Sequence, residues 1–454
     1  MMAGSVDMNE HSEEMDAIKA VYPLPIPPHL SVQGGILHIG GIKTTDIAAK
    51  YGTPVYVTDE SRIQSIYRKY KESLLAHYPH CRVLYAAKAN GNIAILRTLA
   101  NLGAGADVFS SGELVLARDA GIKPEYLLFN GSSKTREDHE LAILHGVRVS
   151  LDSEDELHQI NRVAEEMGKT VEVSFRVNPA IHVPTHPKIA TGLATSKFGI
   201  PAEQILSMYQ KALDASNVIP VGIHCHIGSQ ILELEPFAEE ARVMMDLVAK
   251  LHEMGVIFKF VDLGGGLGVA YQHGIEHAPT ISEYAQAMIP ICAETFKRLG
   301  ISPEIWIEPG RSLVCDSTVL LTRVNSVKRA HKRFINVDAG FNTLVRPAMY
   351  DSYQEVVVAN QMDEDPNDGD VYSVTGPICE SGDILAADRR LGKVEAGDLI
   401  AVLDTGAYGY AMASQYNGRG RCAEVLINNG AVALIRRRES IEDLLSTMRR
   451  PMWQ

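Results

Sequence analysis

The stretch 83–130, VLYAAKANGNIAILRTLANLGAGADVFSSGELVLARDAGIKPEYLLFN, holds three short β-rich apolar runs with helical patterns between them. They are VLYAA (83–87), ADVFS (106–110) and YLLFN (126–130). The rhythm continues through VRVSL (147–151), VEVSFRV (171–177), VIPVGIHC (218–225), IFKFVDL (257–263) and EIWIE (304–308). Short apolar runs separated by helical segments are what strands buried in a parallel sheet look like in sequence. Eight strand–helix units predict an α/β fold, a (β/α)8 TIM barrel. A doubly wound open sheet is the alternative that the count alone leaves open.

Helix signals support the reading. Ser153 with Glu156 three residues on is a capping box before LHQINRVAEEMG, and Thr135 with Asp138 is a weaker one. Pro201 opens AEQILSMYQKALD at a first-turn position. Ahead of the first run, Thr58 precedes a helix that gathers Ile63, Ile66, Tyr67, Tyr70 and Leu74 on one face.

After about residue 320 the pattern changes. TRVNSVKR, FINVDAG, VYSVTGP, DLIAVLDTG, AEVLINNG and VALIRRR are strand-like, with no long helical pattern before the short IEDLLSTMRR. ILHIGG and PVYVTD near the start also read as strands. The expected organisation is a tail over 1–30 and a barrel over 58–320. A discontinuous β-rich domain, Greek-key or barrel-like, is expected over 31–57 and 321–454.

At roughly 150 residues per domain, 454 residues suggest two or three domains, so this split fits the length. The net charge of −13 argues against non-specific binding to nucleic acid or to an anionic membrane surface. No apolar run approaches the ~20 residues of a membrane span. The start is acidic and lacks an apolar h-region, so no signal or transit peptide is expected. Six cysteines lie far apart with no CxxC pair, which predicts reduced thiols in a cytoplasmic protein.

In a barrel of this kind the active site forms at the C-terminal ends of the strands. Read in order, those ends are rich in polar residues and glycine: Lys88, Ser110 to Glu113, Asn130, Asp152, Asn178, His226 to Ser229, Gly264 to Gly266, and Glu308 to Arg311. Glycines let backbone N–H groups approach an anion. A glycine run is often only a tight turn. Here DLGGGLG follows strand seven and Gly310-Arg311 follows strand eight, the loops that frequently hold phosphate in this fold. Lys88 beside Ala86 and Ala87 is either a solvated lysine or a partly desolvated amine able to form an imine. An amine with a phosphate cradle suggests pyridoxal phosphate, and Glu308 is the candidate carboxylate for its ring nitrogen. A metal is not expected. His182 and His186 lie in HVPTHP, where proline forbids the helix that would pair them. His224 and His226 alternate on a strand, so only one of them is expected to point inward.

The motifs YAAKAN, ADVFSSGEL, HPKIATGLATSKFG, HCHIGSQ, DLGGGLGV, EPGRSLV, RPAMYDSY, CESGDILA and GAYGYAMASQYNGR occur in order over roughly residues 35–440. Together they resemble the fold-type III pyridoxal phosphate decarboxylases, of the alanine racemase-like barrel group, and the branch acting on diaminopimelate most. The resemblance implies that Lys88 carries the cofactor and His226 stacks on its ring. Ser229, Gly265, Gly266 and Gly310 would hold the phosphate, with Tyr408 helping, and Glu308 would pair with the ring nitrogen. It implies substrate contacts from Arg311, Arg346, Tyr350, Glu380 and Tyr408, and Cys379 as the acid that reprotonates carbon. It also implies a homodimer with a shared site, completed by Cys379 and Glu380 of the partner subunit. Asp107 and Glu113 lie in matching motifs without assigned roles.

The implied reaction is decarboxylation of meso-2,6-diaminopimelate to L-lysine and CO2, the last step of lysine biosynthesis. A distal carboxylate needs cations and a distal ammonium needs an anion, which two arginines and Glu380 supply. Decarboxylation of D-ornithine, D-lysine or carboxynorspermidine, or amino-acid racemisation, are alternatives on the same fold. A non-catalytic member is not expected with both Lys88 and Cys379 present. Departures from the family pattern are Ser111 in FSSGEL, NGSSK at 130–134 and NPAIHVPTH after strand five.

Overall fold

Each of the eight apolar runs forms a strand in the computed structural model, which describes residues 19–183, 185, 191, 192 and 196–453. The strands are β1 (Cys81–Ala86), β2 (Gly105–Val108), β3 (Leu127–Phe129), β4 (Arg148–Leu151), β5 (Val171–Asn178), β6 (Gly222–Cys225), β7 (Phe260–Asp262) and β8 (Glu304–Ile307). Each pairs in parallel with the next, from Leu84 opposite Gly105 to Val261 opposite Ile305. The ring closes where Ile305 of β8 pairs with Cys81 of β1. The sheet is therefore a closed barrel and not an open doubly wound sheet. The run 218–225 is broken in two: Val218–Pro220 pairs with the start of β5, and β6 begins two residues later.

The N-terminal end of the barrel is filled by Leu84, Leu128, Val221, Phe260 and Trp306. Phe260 and Trp306 stack at 3.9 Å. Gly222 makes room for them, because a Cβ there would lie 2.3 Å from the Phe260 ring. With that end plugged by large apolar side chains, polar side chains are left to the other end, where the strands finish.

The helices follow their caps, with three differences from expectation. Thr135 and Asp138 make a full reciprocal capping box on the helix Arg136–His145. Ser153 caps Glu154–Glu166, but the Glu156 side chain does not reach back to it. Glu156 instead accepts from the Asp152 N–H and binds the buried Lys134 ammonium at 2.6 Å. A buried cation is the stronger demand on that carboxylate. Pro201 pairs with the end of β5, and its helix starts later, at Ile205–Asp214. The helix Glu60–Leu75 buries Ile63, Ile66, Tyr67, Tyr70 and Leu74, the face expected for it.

The chain divides into two compact units. One holds Ile63–Val269 and His277–Cys315, and contains the barrel. The other holds the described residues up to Arg62, Ala270–Glu276 and the described residues from Asp316 onward, and is β-rich. Its central strand, Thr318–Arg329, pairs with Val55–Asp59, Arg333–Val337 and Leu399–Val402. Alternate residues face two cores, Leu320 and Val324 toward one and Val319 and Leu321 toward the other. The six strand-like runs after residue 320 all form strands, and Val356–Val358 and Ile384–Leu391 add two more. Among the described residues no helix is long and apolar enough to cross a membrane.

Candidate active site

The polar ends of the barrel strands converge on one hydrogen-bonded chain. Lys88 lies just past β1, in the short turn Ala87–Ala89, with its side chain about a third exposed, so a small molecule can reach the amine. Its Nζ binds Asp107 Oδ2 at 2.7 Å and lies 4.3 Å over the Phe109 ring. Glu113 holds that ring's backbone by accepting the Phe109 N–H at 2.7 Å. The other Asp107 oxygen accepts from Asn130 Nδ2 at 2.7 Å, and the same Nδ2 donates to Glu308 Oε1 at 2.7 Å. Lys88, Asp107, Asn130 and Glu308 thus link the ends of β1, β2, β3 and β8 in one continuous chain.

Electrostatics distinguish the two carboxylates. Burial raises Asp107, helped by the nearby Glu308 and opposed by Lys88. Burial would raise Glu308 too, but His224 and then Lys88 outweigh it and hold it near about 2. Glu308 is therefore an anion in a buried site. His226 is held well below the ordinary histidine value by burial and by the cations of Lys88 and Arg176, so its ring is neutral.

Three glycines shape the floor between the loops. A Cβ on Gly264 would lie 2.4 Å from the Cys225 carbonyl, on Gly265 2.1 Å from the Glu308 carbonyl, and on Gly266 2.5 Å from the Gly228 carbonyl. No side chain fits at any of them, so the segment presents bare backbone. The Gly265 N–H donates to His226 Nδ1 at 3.2 Å, which fixes the imidazole. Beside it Arg311 Nη2 donates to Ser229 Oγ at 2.9 Å. Gly310 directly precedes the short helix Arg311–Val314. A reachable amine, a neutral imidazole, a buried anion and a backbone cradle beside Ser229 and Arg311 are a donor set that suits pyridoxal phosphate.

The remaining candidates belong to the β-rich unit. Arg346 is buried at the start of the helix Arg346–Tyr350, with its guanidinium 4.8 Å over the Tyr271 ring. Its Nη1 donates to the Gln354 carboxamide oxygen at 2.7 Å. Cys379 is the exposed one of the six free cysteines. Asn417 Nδ2 donates to its Sγ at 3.2 Å, and Tyr416 donates to Glu380 Oε1 at 2.7 Å. The Glu380 hydrogen bond and the neighbouring thiol push the Tyr416 hydroxyl up to about 12. Tyr408 sits at a φ of +60°, a left-handed conformation that costs a tyrosine about 1–3 kcal/mol.

The structure corrects one expectation and adds residues. Both His224 and His226 face the site. His226 lies past the end of β6, where strand alternation no longer applies, while His224 Nε2 lies 3.5 Å from Glu308 Oε2. His224, Asp262 and Glu308 bring ligand-type atoms within 4.8 Å of one another. His182 is exposed, and His186 and most of HPKIATG lie outside the described residues. The roles of Asn130, His224 and Asp262 had no sequence signal beyond their place at or near strand ends.

Comparison with known proteins agrees with this chemistry. Residues 61–315 match the family described as pyridoxal-dependent decarboxylase, pyridoxal binding domain. The chain is 51% identical to a diaminopimelate decarboxylase from Archaeoglobus fulgidus, over 93% of this chain and 99% of that one. It is 41% identical to the one from Methanothermobacter thermautotrophicus, over 90% and 95%. The crystal structure of diaminopimelate decarboxylase from M. jannaschii in complex with L-lysine superposes with a TM-score of 0.87 at 40% identity, covering 93% of this chain and 98% of that one. The fold and site define a pyridoxal-dependent decarboxylase, whose cofactor is pyridoxal phosphate. Within that class the chain belongs to the diaminopimelate decarboxylase family.

Proposed function

We propose that this chain decarboxylates meso-2,6-diaminopimelate to L-lysine and CO2. Bound pyridoxal phosphate supplies the electron sink that accepts the pair left behind when a carboxylate leaves as CO2. Lys88 is the residue that would hold the cofactor through its amine. Glu308, as a buried anion, keeps a proton on the ring nitrogen. His226, neutral and fixed by the Gly265 N–H, stacks on the ring. Backbone at Gly265, Gly266 and Gly310 binds the phosphate with Ser229 and Tyr408.

Arg311, Arg346 and Tyr350, with Tyr408, bind the substrate carboxylates, and Glu380 binds the distal ammonium. Cys379 Sγ would supply the proton to the carbon that has lost CO2. Its exposure, and its place beside Glu380 and Tyr416, suit a group that acts across a subunit boundary. The active assembly is a homodimer in which each site receives Cys379 and Glu380 of the partner subunit. Six free cysteines agree with a reducing, cytoplasmic location.

The observation that carries the reading is the chain Lys88–Asp107–Asn130–Glu308, which couples a reachable amine to a buried anion. The test is reconstitution with pyridoxal phosphate. The wild type is expected to develop the visible absorption band of lysine-bound cofactor and Lys88→Ala to lack it. The same band in both proteins contradicts the assignment.

A further inference from the structure

We propose that His224 is a positioning residue that sets the ionisation of Glu308. The proposal rests on the reading that Glu308 faces the ring nitrogen of the cofactor. Glu308 is 4% exposed and His224 1%, so neither is solvated, and each needs its charge or proton satisfied from within. One Glu308 oxygen accepts from Asn130, and the other faces His224 Nε2 at 3.5 Å. A carboxylate oxygen can only accept, so the arrangement is favourable only when Nε2 carries a proton.

Ser150 on β4 decides that tautomer. Its Oγ lies 3.0 Å from His224 Nδ1. With the hydroxyl donating to Nδ1, the ring proton belongs to Nε2 and points at Glu308. With Nδ1 protonated instead, an imidazole lone pair would face the carboxylate. The first arrangement turns an N–H dipole toward the carboxylate and the second leaves a buried repulsion.

Asp262 on β7 completes the cluster. Its Oδ1 accepts the Gly264 N–H at 2.8 Å, and its buried Oδ2 has no donor among the described residues. Three buried carboxylates, Asp107, Asp262 and Glu308, meet in this region. Asp107 is matched by Lys88. The lowest-energy assignment protonates Asp262 and leaves the charge on Glu308. Burial followed by the nearby Glu308 raises Asp262 well above the ordinary carboxylate range, which agrees. A proton on Asp262 turns that carboxyl into a donor, with the Glu308 carboxylate as its acceptor. The other titratable groups acting on this cluster are His226 and, from the helix Glu235–Glu253, Glu240.

The test uses holoenzyme loaded with pyridoxal phosphate labelled with 15N in the ring. The ring-nitrogen chemical shift reports its protonation independently of turnover. Wild type and His224→Gln, which keeps a donor near the Nε2 position, are expected to show the protonated shift. His224→Leu is expected to move it toward the unprotonated value and to lower kcat about 10–100-fold, the size of effect seen when a supporting contact around a functional group is lost, with little change in KM. Ser150→Ala is expected to move it in the same direction by less, and carries the test if His224→Leu does not fold. If His224→Leu and Ser150→Ala keep the wild-type shift while Glu308→Gln loses it, Glu308 retains its place and the role of His224 is wrong. If Glu308→Gln also keeps it, the placement of Glu308 is wrong and the proposal falls with it.

Discussion

The buried hydrogen-bonded chain of the barrel unit and the Cys379–Glu380 pair of the β-rich unit are built in opposite ways. In the barrel, Asp107, Asn130, His224 and Glu308 are buried, and each is held by its neighbours. In the β-rich unit Cys379 and Glu380 are exposed and are held by Tyr416 and Asn417, which are exposed as well. Burial fixes charge and orientation before any ligand arrives, which suits a permanent cofactor. Exposed groups that bond one another can exchange those partners for a substrate, which suits groups that act in turnover. Changes to Lys88 or to the glycine cradle should therefore alter cofactor binding. Changes at Cys379 and Glu380 should alter catalysis while the cofactor stays bound.

The strongest test of that contrast is Gly265→Ala. The new methyl would meet the Glu308 carbonyl at 2.1 Å, so the backbone must move. The variant is expected to lose cofactor binding and about 1–3 kcal/mol of stability. Equilibrium dialysis with pyridoxal phosphate and a thermal melt measure both.

Cys379→Ala is the matching change on the other side. It should keep the cofactor absorption band and lower kcat about 10²–10⁴-fold, the range for loss of a general acid. Loss of the band would erase the distinction between the two regions. Glu380→Gln should act more weakly, raising KM for meso-diaminopimelate about 10-fold through the lost charge pair with an ammonium. Tyr416→Phe, which removes only the hydrogen bond to Glu380, should do less again.

The smallest effect is on stability. Glu240 lies behind the barrel, fully buried, and burial raises it from 4.5 to about 8 although a hydrogen bond from Cys225 opposes the shift. A raised value means that the fold favours the protonated form. Its contribution is full below pH 4.5 and is lost as pH rises toward about 8. Glu240→Gln should therefore unfold several degrees higher than wild type at pH 8, with the difference closing as pH falls below 4.5. Calorimetry across that range checks the sign.

How much of this could be read from sequence follows the same division. The barrel strands were legible because burial on both faces leaves an apolar run that few other structures need. The strand-end residues were legible as a set because the fold places chemistry there. His224 was not, since alternation along a strand predicts one inward histidine, and the end of β6 falls between the two. Asn130 and Asp262 carry no spacing signal, and only the closed ring brings them to Glu308. The capping of Glu154–Glu166 was half legible, because Lys134, 22 residues away from Glu156, claims its carboxylate. In the β-rich unit, Val356–Val358 is only three residues long, and Ile384–Leu391 carries Asp388, Arg389 and Arg390, so neither stands out as a strand pattern. Cys379, Glu380 and Tyr408 were found through the ordered family motifs and not through any pattern of burial.

The central claim is the substrate. With reconstituted enzyme, kcat/KM for meso-diaminopimelate, measured by CO2 release and L-lysine formation, should exceed that for D-ornithine by orders of magnitude. An equal or higher kcat/KM for D-ornithine, or epimerisation of the diaminopimelate without release of CO2, would contradict the account.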